Sequence, residues 1–216
     1  MFLDYVRKTY HRNLLEKLLI EQSALIKGKI LDIGSKSRRY DHLFQDTIIA
    51  ADIISNKELN IEKQDITGLS YLAETFDGII CLEVLQCLKL ENFTRAISEI
   101  HRVLKKDGRA VITFPFYYKD HQDNLRVTKK YIIEILNNLN FREYKVQKIG
   151  NKHTAVFDIL RYSFWDRITD AGRIKKSFYS LYYLPRLMLK FIIIKIFNLE
   201  KIKDDFYSGL FIILKK

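Results

Sequence analysis

Four short apolar runs constrain this chain more than any other feature: KILDIG (29–34), TIIAADI (47–53), FDGIICL (76–82) and RAVITFPF (109–116). Each has the length and β-branched content of a strand. Each is also apolar across its whole width rather than on alternate residues, the mark of strands covered on both faces. Between the last two lies LENFTRAISEIHRVLKKDG, where Phe93, Ile97, Ile100, Val103 and Leu104 recur at helical spacing and Asp107-Gly108 is expected to end the helix. Strands that alternate with helices in this way specify an α/β chain with a parallel sheet between helical layers.

The flanks extend the pattern. Leu14, Leu15, Leu18, Leu19, Leu25 and Ile26 predict one amphipathic helix over residues 1–27, stopped at Gly28. After Pro115, VTKKYIIEILNNLNF reads as a helix with Thr128 as its N-cap, REYKVQKIG as a strand, and DFYSGLFIILKK as a last strand. Residues 1–216 are therefore read as a single domain: an N-terminal helix (1–27), a core (28–150), a basic helical insertion (151–205) and the final strand (206–216). No internal repeat is present.

Composition closes off several classes. With 48% hydrophobic and 29% charged residues the chain is not of the disordered type. Cys81 and Cys87 cannot build a disulfide scaffold or a four-ligand zinc site, and Cys87 is read as a buried helix residue rather than a nucleophile. His11, His42 and His153 lack metal-ligand spacing, so no metal is expected, and His101 is expected to face solvent. The start, MFLDYVRKTYHRN, is charged where a signal peptide is apolar, which predicts a cytosolic protein. Arg186, Lys190 and Lys195 cut the longest apolar stretches below the roughly 18 residues that a spanning helix needs.

The net charge of +11 is unevenly placed. Residues 173–203 hold eight basic side chains against the single acid Glu200 and supply +7 of it. Lys175, Lys176, Arg186, Lys190 and Lys201 would share one helical arc with Lys195 opposite, and Pro185 is expected to break that helix in two. Two readings are open for the segment: a peripheral contact with an anionic membrane or lipid-linked acceptor, or a helical pair covering a sheet edge or a homodimer contact. Either way it is the expected specificity element.

In open α/β sheets ligands bind beyond the carboxyl ends of the strands. There the sequence places Asp32-Ile33-Gly34 followed by Ser35, Lys36, Ser37 and Arg38; then Asp52-Ile53, with Asp52 18 residues after Gly34; then Gln64-Asp65-Ile66. A glycine at 34 allows a tight turn and close approach to a ligand, and an acid at the second strand end can take both hydroxyls of a ribose. Taken singly, Asp32 as a cap, Asp52 as a solvated acid and Asp65 as a turn residue serve equally well. Together the three acids form a constellation.

The succession LDIGSKSRRY, AADI, QDI, FDGIICLEVLQCL and AISEIHRVLKKDGRAVITFPF resembles the class I S-adenosylmethionine-dependent methyltransferases over roughly residues 28–150. The resemblance implies a Rossmann-like, doubly wound, mostly parallel seven-stranded sheet with a late antiparallel strand and a helical insertion before the last strand. It implies S-adenosyl-L-methionine as cofactor. Asp32 with Gly34, Ser35 and Lys36 would meet the methionine part, Asp52 with Ile53 the ribose, Asp65 with Ile66 the adenine, and Leu82 with Glu83 would line the cofactor. The family loop is usually Gly-x-Gly-x-Gly, whereas Lys36 and Arg38 stand at its second and third glycine positions; a side chain at positive φ is strained there. The family often has Glu-His where Gln86-Cys87 stands.

A weaker resemblance, carried by Tyr40 and Leu43-Phe44, is to methyltransferases that accompany bacterial polysaccharide synthesis, and it implies a small-molecule or saccharide hydroxyl, lipid-linked glycans included, as acceptor. His121, in the loop Tyr117–His121 after the fourth run, has an intrinsic pKa suited to a base for that hydroxyl. The rivals are an RNA methyltransferase, suggested by the net charge although nucleic acid is not the expected partner, and a non-catalytic scaffold, suggested by Lys36 and Arg38.

Overall fold

The computed structural model describes residues 2–117, 123–139, 141–169 and 172–216. Among them, seven strands form one sheet: β1 (Ile30–Ile33), β2 (Ile48–Asp52), β3 (Ile61–Lys63), β4 (Phe76–Leu82), β5 (Leu104–Pro115), β6 (Glu143–Ile149) and β7 (Gly209–Lys215), in the order β3-β2-β1-β4-β5-β7-β6. β1 pairs in parallel with β2 and β4, β2 with β3, and β4 with β5. The last strand runs the other way: Asp107 N donates to Lys216 O and Lys216 N to Gly108 O, both at 3.1 Å, so the end of β7 meets the beginning of β5. Every residue of β1 is buried, as its unbroken apolar run requires for a strand covered on both faces. The α/β sheet with its late antiparallel strand and helical segment before it is the architecture expected.

The helices are α1 (Phe2–Arg7), α2 (Tyr10–Ser23), α3 (Leu90–Val103), α4 (Lys129–Asn137), α5 (Lys152–Thr169) and α6 (Arg173–Ile196). Phe93, Ala96, Ile97, Ile100 and Val103 form the buried stripe of α3, at the spacing that predicted it. Thr128 caps α4 by accepting from Tyr131 N at 3.2 Å.

Several expectations are corrected. The N-terminal segment is two helices, because Thr9 restarts the chain: its Oγ1 accepts from Arg12 N at 3.0 Å as the cap of α2. Gly28 lies beyond that helix in a loop at φ +83, where a side chain would press on Asp77. Lys105–Gly108 does not end α3 but forms an irregularity inside β5. Phe76 pairs with Leu104 and Gly78 with Arg109, so extra residues of β5 loop out, with Asp107 at φ +62. His101 packs edge-on against the Phe141 ring at 4.8 Å. α6 continues unbroken through Pro185: one lost backbone bond is outweighed by the buried side chains Leu187, Phe191 and Ile194 that follow it. Lys201 lies outside α6, in a short turn after Asn198, which adopts φ +50.

The chain divides into two compact units, one of residues 1–17 with 148–209, the other of 18–147 with 210–216. The first has its own core of Val6, Tyr10, Phe157, Phe164, Leu187, Phe191 and Ile194. Within it the buried carboxylate of Asp158 accepts from Tyr10 N at 2.5 Å and His11 N at 3.0 Å, the free donors at the start of α2. Lys195 turns inward to Glu200 at 2.7 Å with the Tyr5, Tyr10 and Phe191 rings around it. The second unit contains nearly the whole sheet and every described residue of the expected site.

Candidate functional site

The order β3-β2-β1-β4-β5 reverses direction between β1 and β4, and the crevice at the carboxyl ends of those two strands is where such sheets bind ligands. Asp32 is the third residue of β1, paired in register with Ala50 and Ile80 and only 5% exposed. Burial pushes its carboxyl up to about 6, against the opposing influence of the Ser35 hydroxyl and the Arg38 charge, while the carboxylates of Asp41 and Asp52 add to the rise. Ser35 Oγ is itself buried at a geometry that closes no hydrogen bond.

The loop after β1 adopts left-handed backbone at Gly34 (φ +78), Lys36 (φ +46) and Arg38 (φ +51). A side chain at 34 would collide with Val84 in the connection after β4. At 36 and 38 the glycine-type conformation persists with side chains in place, and the structure shows what holds it. Gly34 N and Ser35 N both donate to Ala51 O, at 2.7 and 3.1 Å, and Arg38 N donates to Ser35 O at 3.1 Å. Lys36 N donates to Asp52 Oδ2 at 3.1 Å, and Ile54 N to Asp52 Oδ1 at 3.2 Å.

The Arg38 side chain is directed away from the strand ends. Its Nε donates to Asp41 Oδ2 at 2.6 Å, and its terminal nitrogens reach the carbonyls of Asn60 at 3.1 Å, Ile48 at 3.3 Å and Leu59 at 3.4 Å. Ile48 begins β2, and Leu59-Asn60 lead into β3, so the guanidinium sits toward the amino ends of those strands. The Lys36 side chain is exposed.

The other expected residues surround the same crevice with different degrees of commitment. Asp65 Oδ1 accepts from Thr67 N and Thr67 Oγ1, both at 2.8 Å, and these bonds hold its carboxyl below the usual carboxylate range. Its turn joins the tip of β2, since Gln64 N donates to Asp52 O at 2.8 Å. Ile66 is buried, and Ile53 is exposed beside Asp52. Leu82 ends β4 half-buried, and Glu83 follows at φ +55 with its N–H shared between Thr113 O at 3.2 Å and Thr113 Oγ1 at 3.0 Å. His121 lies outside the described residues.

Two side chains of this region escape a sequence reading. Thr113, fully buried in β5, fixes the strained Glu83 backbone. Gln86 is buried, donates to Glu83 O at 2.6 Å, and accepts at its own carbonyl from Asn124 N and Leu125 N, while its Oε1 has no partner. Only the departure from Glu-His at 86–87 hinted at it. Cys87 corrects an expectation: it is exposed, in the short turn Leu85–Cys87, rather than buried in a helix. Its thiol is nevertheless raised, by partial burial and then by the Asp123 carboxylate, which leaves little thiolate.

The sequence profile of a family described as "Methyltransferase domain" matches residues 32–112, the stretch that carries Asp32, Asp52, Asp65 and Glu83. No curated protein matches the sequence significantly. Among solved structures the chain is similar to a SAM dependent methyltransferase from Archaeoglobus fulgidus, at 18% identity and TM-score 0.62, over 95% of this chain and 94% of that one. It is similar to a 1,6-didemethyltoxoflavin-N1-methyltransferase of Burkholderia thailandensis, with 1,6-didemethyltoxoflavin and S-adenosylhomocysteine bound, at 15% identity and TM-score 0.57, over 96% of this chain and 78% of that one. It is also similar to phosphoethanolamine N-methyltransferase 2 of Haemonchus contortus, bound to S-adenosyl-L-methionine, at 16% identity and TM-score 0.55; all of this chain is covered but only 60% of that one. These likenesses establish the Rossmann-like α/β fold shared with methyltransferases.

Proposed function

We propose that the chain is a methyltransferase that uses S-adenosyl-L-methionine and acts in the cytosol on a hydroxyl of a small molecule or saccharide, lipid-linked glycans included. The observation that carries this reading is the loop after β1, which keeps the backbone turns of a glycine-rich cofactor loop at Lys36 and Arg38 while the Arg38 side chain is drawn off to Asp41 and three carbonyls.

The residues present fit the cofactor. Asp32 is a buried carboxyl with no cationic partner at bonding distance among the described residues, suited to the positively charged methionine end. Ser35 Oγ and Gln86 Oε1 are buried polar atoms with no hydrogen-bond partner among the described residues. Asp52 has spent one lone pair of each oxygen on Lys36 N and Ile54 N and keeps the others for ribose hydroxyls. Asp65, with its second oxygen uncommitted, and the apolar Ile66 and Ile53 are assigned to the adenine; Leu82 and Glu83 line the opposite side, with Gly34, Ser35 and Lys36 closing the methionine end. When bound, the cofactor supplies a methyl group on a sulfonium sulfur.

The protein's part is then alignment, which supplies much of the acceleration in such a displacement. An acceptor hydroxyl would receive the methyl group as the carbon–sulfur bond breaks, its electron pair staying on the departing neutral thioether, and His121 is the base assigned to take the O–H proton. The resemblance to enzymes of polysaccharide synthesis supports a saccharide acceptor. The concentration of basic charge in the single segment 173–203, rather than along the whole chain, favours this reading over RNA.

Calorimetry with S-adenosylhomocysteine tests the proposal. Micromolar binding to the full chain that is lost in Asp52→Ala supports it. No detectable heat at millimolar ligand overturns it and leaves a scaffold that has kept the fold alone.

A further inference from the structure

Helix α6 has two apolar faces. Leu187, Phe191 and Ile194 are buried in the core of their own unit. On the other side Ile174, Phe178, Leu181, Met188, Leu189 and Ile196 are 88%, 66%, 76%, 50%, 60% and 66% exposed. At about 100° per residue these six fall in a single sector roughly 120° wide, opposite the buried face. Exposed apolar side chains scattered singly need no explanation, but a continuous stripe along a 24-residue helix marks a contact surface.

Charge identifies what covers it. α6 contains no acidic residue. Lys175 and Arg186 are exposed at one edge of the apolar sector, with half-buried Lys190 further round. The Arg186 guanidinium lies over the Tyr182 ring, 3.7 Å from its centre, and donates to Tyr182 O at 2.6 Å, a polar and aromatic border to the stripe. Lys195 takes no part, being held internally by Glu200. A second copy of this face would set like charges against each other, whereas an anionic lipid surface complements both the stripe and its basic edge. Among the described residues no helix is long and apolar enough to cross a bilayer.

We propose that α6 lies in the plane of an anionic membrane surface, its exposed apolar sector in the boundary between headgroups and acyl chains and Lys175 and Arg186 at the level of the lipid phosphates.

Co-sedimentation of the full chain with phosphatidylcholine vesicles, with and without about 30 mol% phosphatidylglycerol, tests this. The chain is expected to sediment with the mixed vesicles, far less with phosphatidylcholine alone, and less as salt rises. Leu181→Glu with Leu189→Glu should lower partitioning about tenfold or more, and Lys175→Ala with Arg186→Ala should reduce the preference for phosphatidylglycerol several-fold. All four side chains are exposed, so the fold is retained, and binding of S-adenosylhomocysteine should match wild type. Failure to sediment with mixed vesicles overturns the proposal. So does equal sedimentation of wild type and the double glutamate variant. A dimer in sedimentation velocity that the glutamates disperse, without vesicle binding, would assign the face to a second copy. Retention of single-stranded RNA that ignores the glutamates, again without vesicle binding, would assign the basic edge to nucleic acid.

Discussion

The backbone N–H of Lys36 donates to Asp52 Oδ2 at 3.1 Å, so the tip of β2 holds the loop after β1 at one of its two non-glycine residues with left-handed backbone. Left-handed backbone costs a residue with a Cβ about 1–2 kcal/mol, and glycine loses about 0.5–1 kcal/mol of that advantage through its freer unfolded state. Lys36, whose side chain is exposed, should therefore gain about 0.5–1 kcal/mol of stability as Lys36→Gly. Arg38→Gly should lose about 1–2 kcal/mol, because it also removes the bond to Asp41 and those to three carbonyls. Urea unfolding of the two variants checks the difference in sign.

Gly34 leaves no such latitude. It combines φ +78 with a position where a Cβ would strike Val84. Gly34→Ala should cost about 2–4 kcal/mol, and Gly34→Ala with Val84→Ala should recover only the part due to collision. Denaturant midpoints for the single and double variants separate the two contributions.

The proposed contact of Asp32 with the cofactor predicts that binding depends on pH. A positively charged ligand needs the ionised carboxylate, and burial places the protonation of that group near pH 6. Affinity for S-adenosyl-L-methionine should fall about tenfold between about pH 7.5 and about pH 5, and the dependence should flatten in Asp32→Asn. Calorimetric titration across that range gives the answer; an affinity unchanged with pH would remove Asp32 from contact with charge.

Asp158 affects stability in the same range. Burial raises its carboxyl to about 6, partly offset by the backbone N–H groups of His11 and Tyr10. With the folded value above the unfolded one, the folded chain holds a proton that the unfolded chain has released between about pH 4 and pH 6. The stabilisation is complete below that window and is lost as pH rises through it, by up to about 3 kcal/mol. Unfolding of Asp158→Asn as a function of pH should show this slope missing relative to wild type.

How far the sequence could be read depended on how each element is stabilised. β1, β2, β4 and β5 were legible because burial on both faces demands unbroken apolar runs. β3 was not, since only Ile61 of its three residues is buried and Glu62 and Lys63 are exposed. Lys105–Gly108 has the composition of a helix end, and only pairing with β4 turns it into an irregularity inside a strand. Pro185 reads as a breaker because local sequence cannot weigh one missing N–H against the packing of Leu187, Phe191 and Ile194. In the site, the acids were visible at their strand ends, but Thr113 and Gln86 act through backbone groups of Glu83 that carry no mark in sequence.

The torsions at Lys36 and Arg38 bear on how distant kin of this chain are to be recognised. A census of glycines passes over a loop of this kind. A survey of backbone angles finds it at once, because the shape is held by anchors beyond its own torsions: the Asp52 carboxylate at the tip of β2, and an arginine drawn to Asp41 and to the carbonyls of Ile48, Leu59 and Asn60. Letters and form are separate quantities: the residues at 36 and 38 are not glycine, and their torsions are of the kind that glycine favours.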